Sequence, residues 1–382
     1  MNLLCLDTET SIFNKGNPFD SRNKLVCYSY AWNEGGSGAE RWEDVGEEWD
    51  SQEMLNSMME ECDLVVGFNF KFDLHWLIKE GVYQLRQKQL WDVQIAEFLL
   101  SNQTLRFPSL NETCERYGIP LKTDVVKTEY WEKGVDTKDI PWDILSEYAT
   151  HDAVITLQCY HEQRKLMTSQ QVKLCYLMCQ DLQILQEMEM NGLPFDENLC
   201  DIRSLEVDDQ ISAHKTALAN IYPNIPINFG SNDQLSAFLY GGVVVEESKE
   251  HVGFFKTGER KGQPKYKNIE IEHILPRLYE PLKGSEMQKE GVFATDEGTL
   301  RKLKGKKGVI QQILELSKLE KLNGTYYKGL VKLRKEMNWE EGILHGQFNQ
   351  TTAQTGRLSS SRPNLQNFSS DLQDIFISTY HE

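Results

Sequence analysis

The chain has 382 residues, 40% of them hydrophobic, with only 26 glycines and 11 prolines, which is enough apolar material for two or three domains with real cores and argues against disorder. No apolar run reaches the length of a membrane span, and Leu3-Leu4-Cys5-Leu6 meets Asp7 at once, so the start reads as a buried strand rather than a signal peptide. The net charge of −17 argues at first against nucleic acid, but residues 1–163 carry 29 acidic and 14 basic side chains, whereas 299–335 carry 11 Lys or Arg against 2 Glu. An acidic first domain joined to a basic segment can still bind DNA through that segment. The eight cysteines are scattered without a Cys-x-x-Cys pair or a second half of a zinc motif. They read as reduced thiols of a cytoplasmic protein.

In chain order, residues 3–8 and 25–32 are apolar strands. Ser51 caps a helix over 52–61, and 64–68 is a third strand running through Asn69 into a helix at about 72–80. A helix opens at Trp91-Asp92 and runs through Leu100, Ser109 caps another, and Ile144 to Gln158 is helical. This alternation predicts an α/β domain with helices over its sheet, ending near residue 160. Beyond it the pattern is mainly helical: about 165–191, stopped by Gly192-Leu193-Pro194; Ser204 to Ala219; and a short helix from Asn232-Asp233 to Tyr240. Residues 242–274 alternate apolar runs with Gly-rich turns and read as β-hairpin material. Thr295 to Leu303 is a short helix, and 308–338 is a long one with a single apolar stripe.

Asp7-Thr8-Glu9 places two carboxylates on one side of a strand, because strand side chains alternate. Asp73 follows the third strand in Asn69-Phe70-Lys71-Phe72-Asp73, and Tyr148 and Asp152 lie four apart on one helix face. Each piece is common, but the ordered set is not. Four carboxylates converging on one pocket repel unless cations neutralise them, which is the layout of a two-metal phosphodiester hydrolase.

The set resembles the proofreading 3′–5′ exonuclease domain of bacterial and phage family A DNA polymerases, in the variety with a tyrosine in its third motif. The resemblance implies an RNase H-like domain with a mixed sheet over 1–163. In it Asp7 bridges two Mg²⁺ or Mn²⁺ ions, Glu9 and Asp152 hold the ion that makes the hydroxide, Asp73 supports the second, and Tyr148 orients the water. Hard carboxylate ligands suit such ions. Asn69 either contacts the terminal nucleotide or caps the helix bearing Asp73. Asp92 is an outer support or a cap, His151 is helix surface, and His75 and Trp76 pack on the Asp73 helix. Phe70 and Phe72 are core residues or stack on a terminal base.

Further motifs extend the resemblance. Asn191-Gly192-Leu193-Pro194-Phe195-Asp196, Asn228 to Leu235, and Lys321-Leu322-Asn323-Gly324-Thr325-Tyr326 match the thumb, giving a linker and thumb over 164–345 with a β-containing elaboration at 242–298. Lys302, Lys304, Lys306 and Lys307 can reach phosphates without sequence choice. Thr355-Gly356-Arg357-Leu358-Ser359-Ser360, then Pro363-Asn364-Leu365-Gln366-Asn367, resembles the duplex-holding motif at the start of the palm, over 346–382. It assigns DNA contacts to Gln354, Thr355, Arg357, Asn364, Gln366 and Asn367; the departure at Phe368-Ser369 puts the entry to the next strand in doubt.

Neither the palm carboxylates nor the fingers helix of a polymerase occurs in this sequence. The expectation is therefore a Mg²⁺-dependent exonuclease that also holds primer-template DNA. A second polypeptide would supply palm and fingers in a phage replicase, with further replisome proteins possible, working in the cytoplasm of the infected host. The alternatives are a truncated piece of a single-chain polymerase, and a DNA-binding or processivity subunit with a silent nuclease domain.

Overall fold

A computed structural model describes residues 1–42, 51–305 and 307–378. Lys306 therefore lies outside the described residues. The first strands are β1 (Leu3–Thr10), β2 (Leu25–Trp32) and β3 (Ser37–Arg41), followed by α1 (Ser51–Glu61), β4 (Leu64–Gly67), α2 (Lys71–Lys79), β5 (Gln89–Asp92) and α3 (Val93–Leu100). The five strands form one mixed sheet in the order β3-β2-β1-β4-β5. β1 is antiparallel to β2 and parallel to β4, and β4 is parallel to β5. Leu4, Cys5 and Leu6 are fully buried on consecutive positions. A strand buried on both faces reads as a continuous apolar run, and each such side chain contributes about 1.5–3 kcal/mol.

α4 (Leu110–Tyr117), α5 (Val125–Glu129) and α6 (Trp142–Leu166) follow. Ser109 and Glu112 form a capping box at the start of α4. α6 is longer at both ends than the apolar pattern alone predicts, and it packs across β1, β2 and β3. The expected helix over 165–191 instead begins afresh as α7 (Ser169–Asn191), because Thr168 leaves helical geometry and caps it with Gln171. β6 (Leu193–Pro194) precedes α8 (Glu197–Ala219).

The chain divides into two compact units, residues 1–197 with 330–382, and residues 198–329. In the second unit, α9 (Asn232–Tyr240) is capped by Ser231 and leads into a ribbon of β7 (Gly242–Phe254) and β8 (Pro264–Leu275), as the hairpin reading of 242–274 expects. α10 (Glu297–Leu300) and α11 (Lys307–Lys321) close a core around Phe238, Leu239, Tyr240, Val244, Leu275 and Ile313. The single long helix expected over 308–338 is interrupted. A π-helical stretch at Leu322–Tyr327 separates α11 from α12 (Lys328–Met337).

The chain re-enters the first unit at Leu330 within α12 and continues there through β9 (Ile343–Leu344), β10 (Gln347–Asn349) and β11 (Ser359–Ser361). β9 pairs with β6, and β10 pairs with β11. Arg334 grips Glu197 with two bonds of 2.7 and 2.8 Å, and Gly342 N–H donates to the same carboxylate at 3.0 Å. No helix among the described residues is long and apolar enough to cross a membrane.

Candidate active site

The sheet order sets β1 between β2 and β4, so the carboxylates on β1 lie at the middle of the domain. α6 crosses β1 and brings Asp152 to Asp7 and Glu9; one oxygen of each lies within 4.8 Å of the others. Glu9 and Asp152 are buried, whereas Asp7 is partly exposed. No histidine or cysteine joins this group, so its donors are all hard carboxylate oxygens, a set suited to Mg²⁺ or Mn²⁺. Asp152 Oδ1 is buried with no hydrogen-bond partner among the described residues, and so is the Tyr148 hydroxyl. Buried polar atoms left unpaired at one spot mark where a water or ion belongs.

Asp73 is placed differently. A sharp turn follows β4: a Cβ on Gly67 would lie 2.1 Å from Phe70 Cδ2, so only glycine permits the approach. Asn69 then takes a left-handed φ of 51°. Its side chain does not cap α2, whose N-cap position is Phe70 without a side-chain bond. Of the two readings of Asn69, capping is thus removed. Asp73 is buried and outside the three-oxygen cluster; its Oδ1 accepts from Thr8 N at 2.9 Å and Thr8 Oγ1 at 2.6 Å. The residue between the two carboxylates of β1 therefore fixes the fourth.

Burial raises every carboxylate of the group, and like charge adds to it at Asp7, Glu9 and Asp73. Burial and then the nearby Asp152 charge push Asp7 up to about 7, with Lys122 opposing. Burial also raises Glu9, Asp73 and Asp152. Burial and then Glu9 raise the Tyr148 phenol. Burial would lower Lys122, but Asp152, Glu9, Tyr148 and Asp7 together hold its ammonium above the usual lysine range.

Lys122 is the residue that sequence reasoning missed. It comes from the irregular segment between α4 and α5, and its Nζ pairs with Asp152 Oδ2 and lies 4.5 Å from the centre of the Tyr148 ring. Its own N–H donates to Asn111 Oδ1 at 2.9 Å, and His151 Nε2 lies 3.1 Å from Leu121 O, so a residue read as helix surface anchors the Lys122 segment. A lone lysine in a loop carries no periodic signal, and only the fold shows where it points. Trp131 packs edge-on against Tyr148 with ring centres 5.8 Å apart.

Asp92 caps α3 by accepting from Gln94 N and Ile95 N, and also takes Phe70 N at 2.8 Å, which ties the turn after β4 to β5. Phe70 is core, whereas Phe72 lines a cavity of 680 Å³ with Asn69, Lys71, His75 and Arg362. Beside that cavity His75 Nε2 meets Glu189 Oε2 at 2.8 Å, and Lys71 Nζ meets Glu189 Oε1 at 2.5 Å. Phe348 N on β10 also donates to Glu189 Oε1, at 2.6 Å. One buried carboxylate on α7 thus joins the helix bearing Asp73 to the strand that begins the Thr-Gly-Arg motif.

The six residues of that motif expected to contact DNA are exposed. Gln354, Thr355 and Arg357 lie in the loop joining β10 to β11. Gln366 and Asn367 follow Asn364, whose side chain accepts from Gln366 N. Lys302, Lys304 and Lys307 are exposed in the second unit, before and at the start of α11.

Residues 1–168 match the model of the 3′–5′ exonuclease family, and residues 268–378 match the model of DNA polymerase family A. The chain is 28% identical to DNA polymerase I of Synechocystis sp. over 302 residues, which are 78% of this chain and 26% of that protein. It is 30% identical to the thermostable DNA polymerase I of Thermus aquaticus over 48% of this chain and 17% of that one. The chain thus spans about a quarter or less of these two relatives. Its fold is similar to the POL domain of Pol1 from M. smegmatis, solved in complex with DNA primer-template and dNTP, with a TM-score of 0.66 and 20% identity over 96% of this chain and 52% of that one. The chain carries an N-terminal 3′–5′ exonuclease domain followed by a segment of a family A DNA polymerase domain, of the kind found in DNA polymerase I-like proteins.

Proposed function

We propose that this protein is the exonuclease and DNA-holding part of a family A DNA polymerase. It hydrolyses the 3′-terminal phosphodiester of single-stranded or mispaired DNA. The observation that carries the reading is the convergence of Asp7, Glu9 and Asp152 within 4.8 Å, beside an unpartnered Asp152 Oδ1, in a domain matching the exonuclease family. Asp7, Glu9 and Asp152 would hold divalent cations, with Asp73 supporting from the Thr8 side. Two bound Mg²⁺ or Mn²⁺ ions would supply an activated water and stabilise charge on the leaving oxygen. Tyr148 presents its buried hydroxyl to orient the water. Water adds at the terminal phosphorus, the bond to the 3′ oxygen breaks, that oxygen takes a proton, and a 5′-mononucleotide leaves.

The division of labour follows the same reading: nuclease over 1–163, linker and thumb over 164–345, and the start of the palm over 346–382. Asn69 would meet the terminal nucleotide, and Lys302, Lys304, Lys306 and Lys307 would meet phosphates. Gln354, Thr355, Arg357, Asn364, Gln366 and Asn367 would hold primer-template duplex. Exposure of all six in the motif supports this, because polar donors turned to solvent can reach phosphate and groove acceptors.

Substitution Asp7→Ala tests the activity: Mg²⁺-dependent digestion of a single-stranded 3′ end should vanish, and undiminished digestion by the variant sinks the assignment. We further propose that a second polypeptide supplies palm and fingers in a phage replicase acting in the host cytoplasm. Isolation from the natural source, followed by intact-mass measurement, should return this chain with a separate palm-and-fingers partner. A single longer polypeptide containing these residues contradicts that.

A further inference from the structure

The ribbon of β7 and β8 belongs to neither reading above. Its first strand and its tip fall between the two family-matched segments, residues 1–168 and 268–378. Its root is fixed: Val244 and Leu275 are buried in the core of the second unit. Beyond Val244 the first strand continues to Phe254, about 33 Å at about 3.3 Å per residue.

Charge is sorted along this arm. The stem carries Glu246, Glu247, Glu250, Glu270 and Glu272 against Lys249 alone. The tip, residues 252–268, carries Lys256, Arg260, Lys261, Lys265 and Lys267 against Glu259 alone. All five cations are exposed, and none forms an ion pair among the described residues. Aromatic rings sit among them. Phe254 is 60% and Tyr266 54% exposed, His251 packs edge-on against both, and Arg260 lies 5.9 Å from the Phe255 ring centre.

Exposed rings leave apolar faces in water and five like charges lie close together, a combination that a ligand with π faces and negative charge would offset. Unpaired bases offer π faces to the rings, and their phosphates meet the cations. Duplex DNA offers only the phosphates. The acidic stem repels the same polyanion and confines contact to the tip.

We propose that the ribbon tip binds single-stranded DNA without sequence preference, as a site separate from the carboxylate cluster. The ligand class rests on the reading of the chain as a DNA-handling enzyme, whereas the site itself stands on its own residues.

The test uses the full chain and a labelled circular single-stranded DNA, which offers no 3′ end to the nuclease, with EDTA present. Binding is followed by fluorescence anisotropy over a salt series. The quintuple variant Lys256→Ser, Arg260→Ser, Lys261→Ser, Lys265→Ser, Lys267→Ser should bind at least about tenfold more weakly at about 50 mM salt. Its log–log salt slope should be shallower by about 2–3.5, from about 0.7 per phosphate contact. Tyr266→Ala alone should weaken binding by about fivefold or more while leaving the slope unchanged. If the quintuple variant melts early, Lys261→Gln with Lys265→Gln replaces it, and its slope should fall by about 1.4. Mg²⁺-dependent digestion of a short 3′-labelled oligonucleotide should be equal in all these proteins. Absence of digestion throughout is a failure of the nuclease assignment and leaves the circle-binding result to decide the tip. Unchanged affinity and slope for the circle overturn the proposal. So does an unchanged circle affinity with lost binding to a polyglutamate peptide, which assigns the tip to an acidic protein.

Discussion

Replacing Lys122 by methionine separates two cations that compete for one carboxylate. The Asp152 side chain is 2% exposed and that of Lys122 30% exposed, and they form an ion pair. Removing one partner of a fully buried pair costs about 3–5 kcal/mol, and solvent at the lysine end screens this to about 2 kcal/mol. The first unit holds about 250 residues, for which each kcal/mol moves the melting temperature by about 2–4 °C. Lys122→Met should therefore lower Tm by about 4–8 °C in EDTA. Saturating Mg²⁺ should close most of that gap, because a divalent ion neutralises the same oxygens more completely. The variant should also bind Mg²⁺ more tightly, since the metal no longer displaces an ammonium from Asp152. Differential scanning fluorimetry with and without metal, paired with isothermal titration calorimetry, reads both effects. Equal melting in EDTA, or a deficit that persists unchanged in saturating Mg²⁺, refutes the view of Lys122 as a resident counter-charge.

Three other outcomes follow from the same geometry. Asp7 is pushed up to about 7, against about 3.9 for an unfolded aspartate, so between about pH 4 and 7 the native state holds more protons than the unfolded one. Metal-free stability should fall as pH rises through that window, and Asp7→Asn should flatten the fall in melts at stepped pH. Thr8→Val removes the 2.6 Å bond to Asp73 but leaves the backbone one. It should cost about 1 kcal/mol by chemical denaturation and slow 3′-end digestion by about tenfold. Glu189→Ala leaves Lys71 and His75 without their buried partner and should destabilise the first unit by about 3 kcal/mol, with Glu189→Gln recovering part of the loss in the same denaturation assay.

The carboxylates were legible because strand alternation and strand-to-helix junctions leave a pattern in the chain. Asp7, Glu9 and Asp152 meet once α6 crosses β1, which an α/β alternation already implies. The strands β1, β2 and β4 were legible for the same reason. β5 was not: Trp91 and Asp92 read as the start of a helix, but Gln89–Asp92 pairs with β4, and Asp92 serves as the cap where the strand ends. β3, a short run of Ser-Gly-Ala-Glu-Arg, lacks the apolar alternation of an interior strand because it is an edge. The break at Thr168 was hidden because the apolar pattern continues on both sides of it. Lys122, Thr8 and Glu189 left no mark, since each acts through contacts between segments distant in sequence. The return of residues 330–382 to the first unit was likewise invisible, being fixed by pairs such as Glu197 with Arg334.

The central claim is tested most directly on a 5′-labelled primer with a mispaired 3′ end, annealed to a longer template and incubated with the purified chain and Mg²⁺, with and without dNTPs. The prediction is a ladder shortening from the 3′ end in both reactions, no extension product in either, and no ladder with Asp7→Ala. Extension by this chain alone, or a ladder of equal intensity from the variant, contradicts the account.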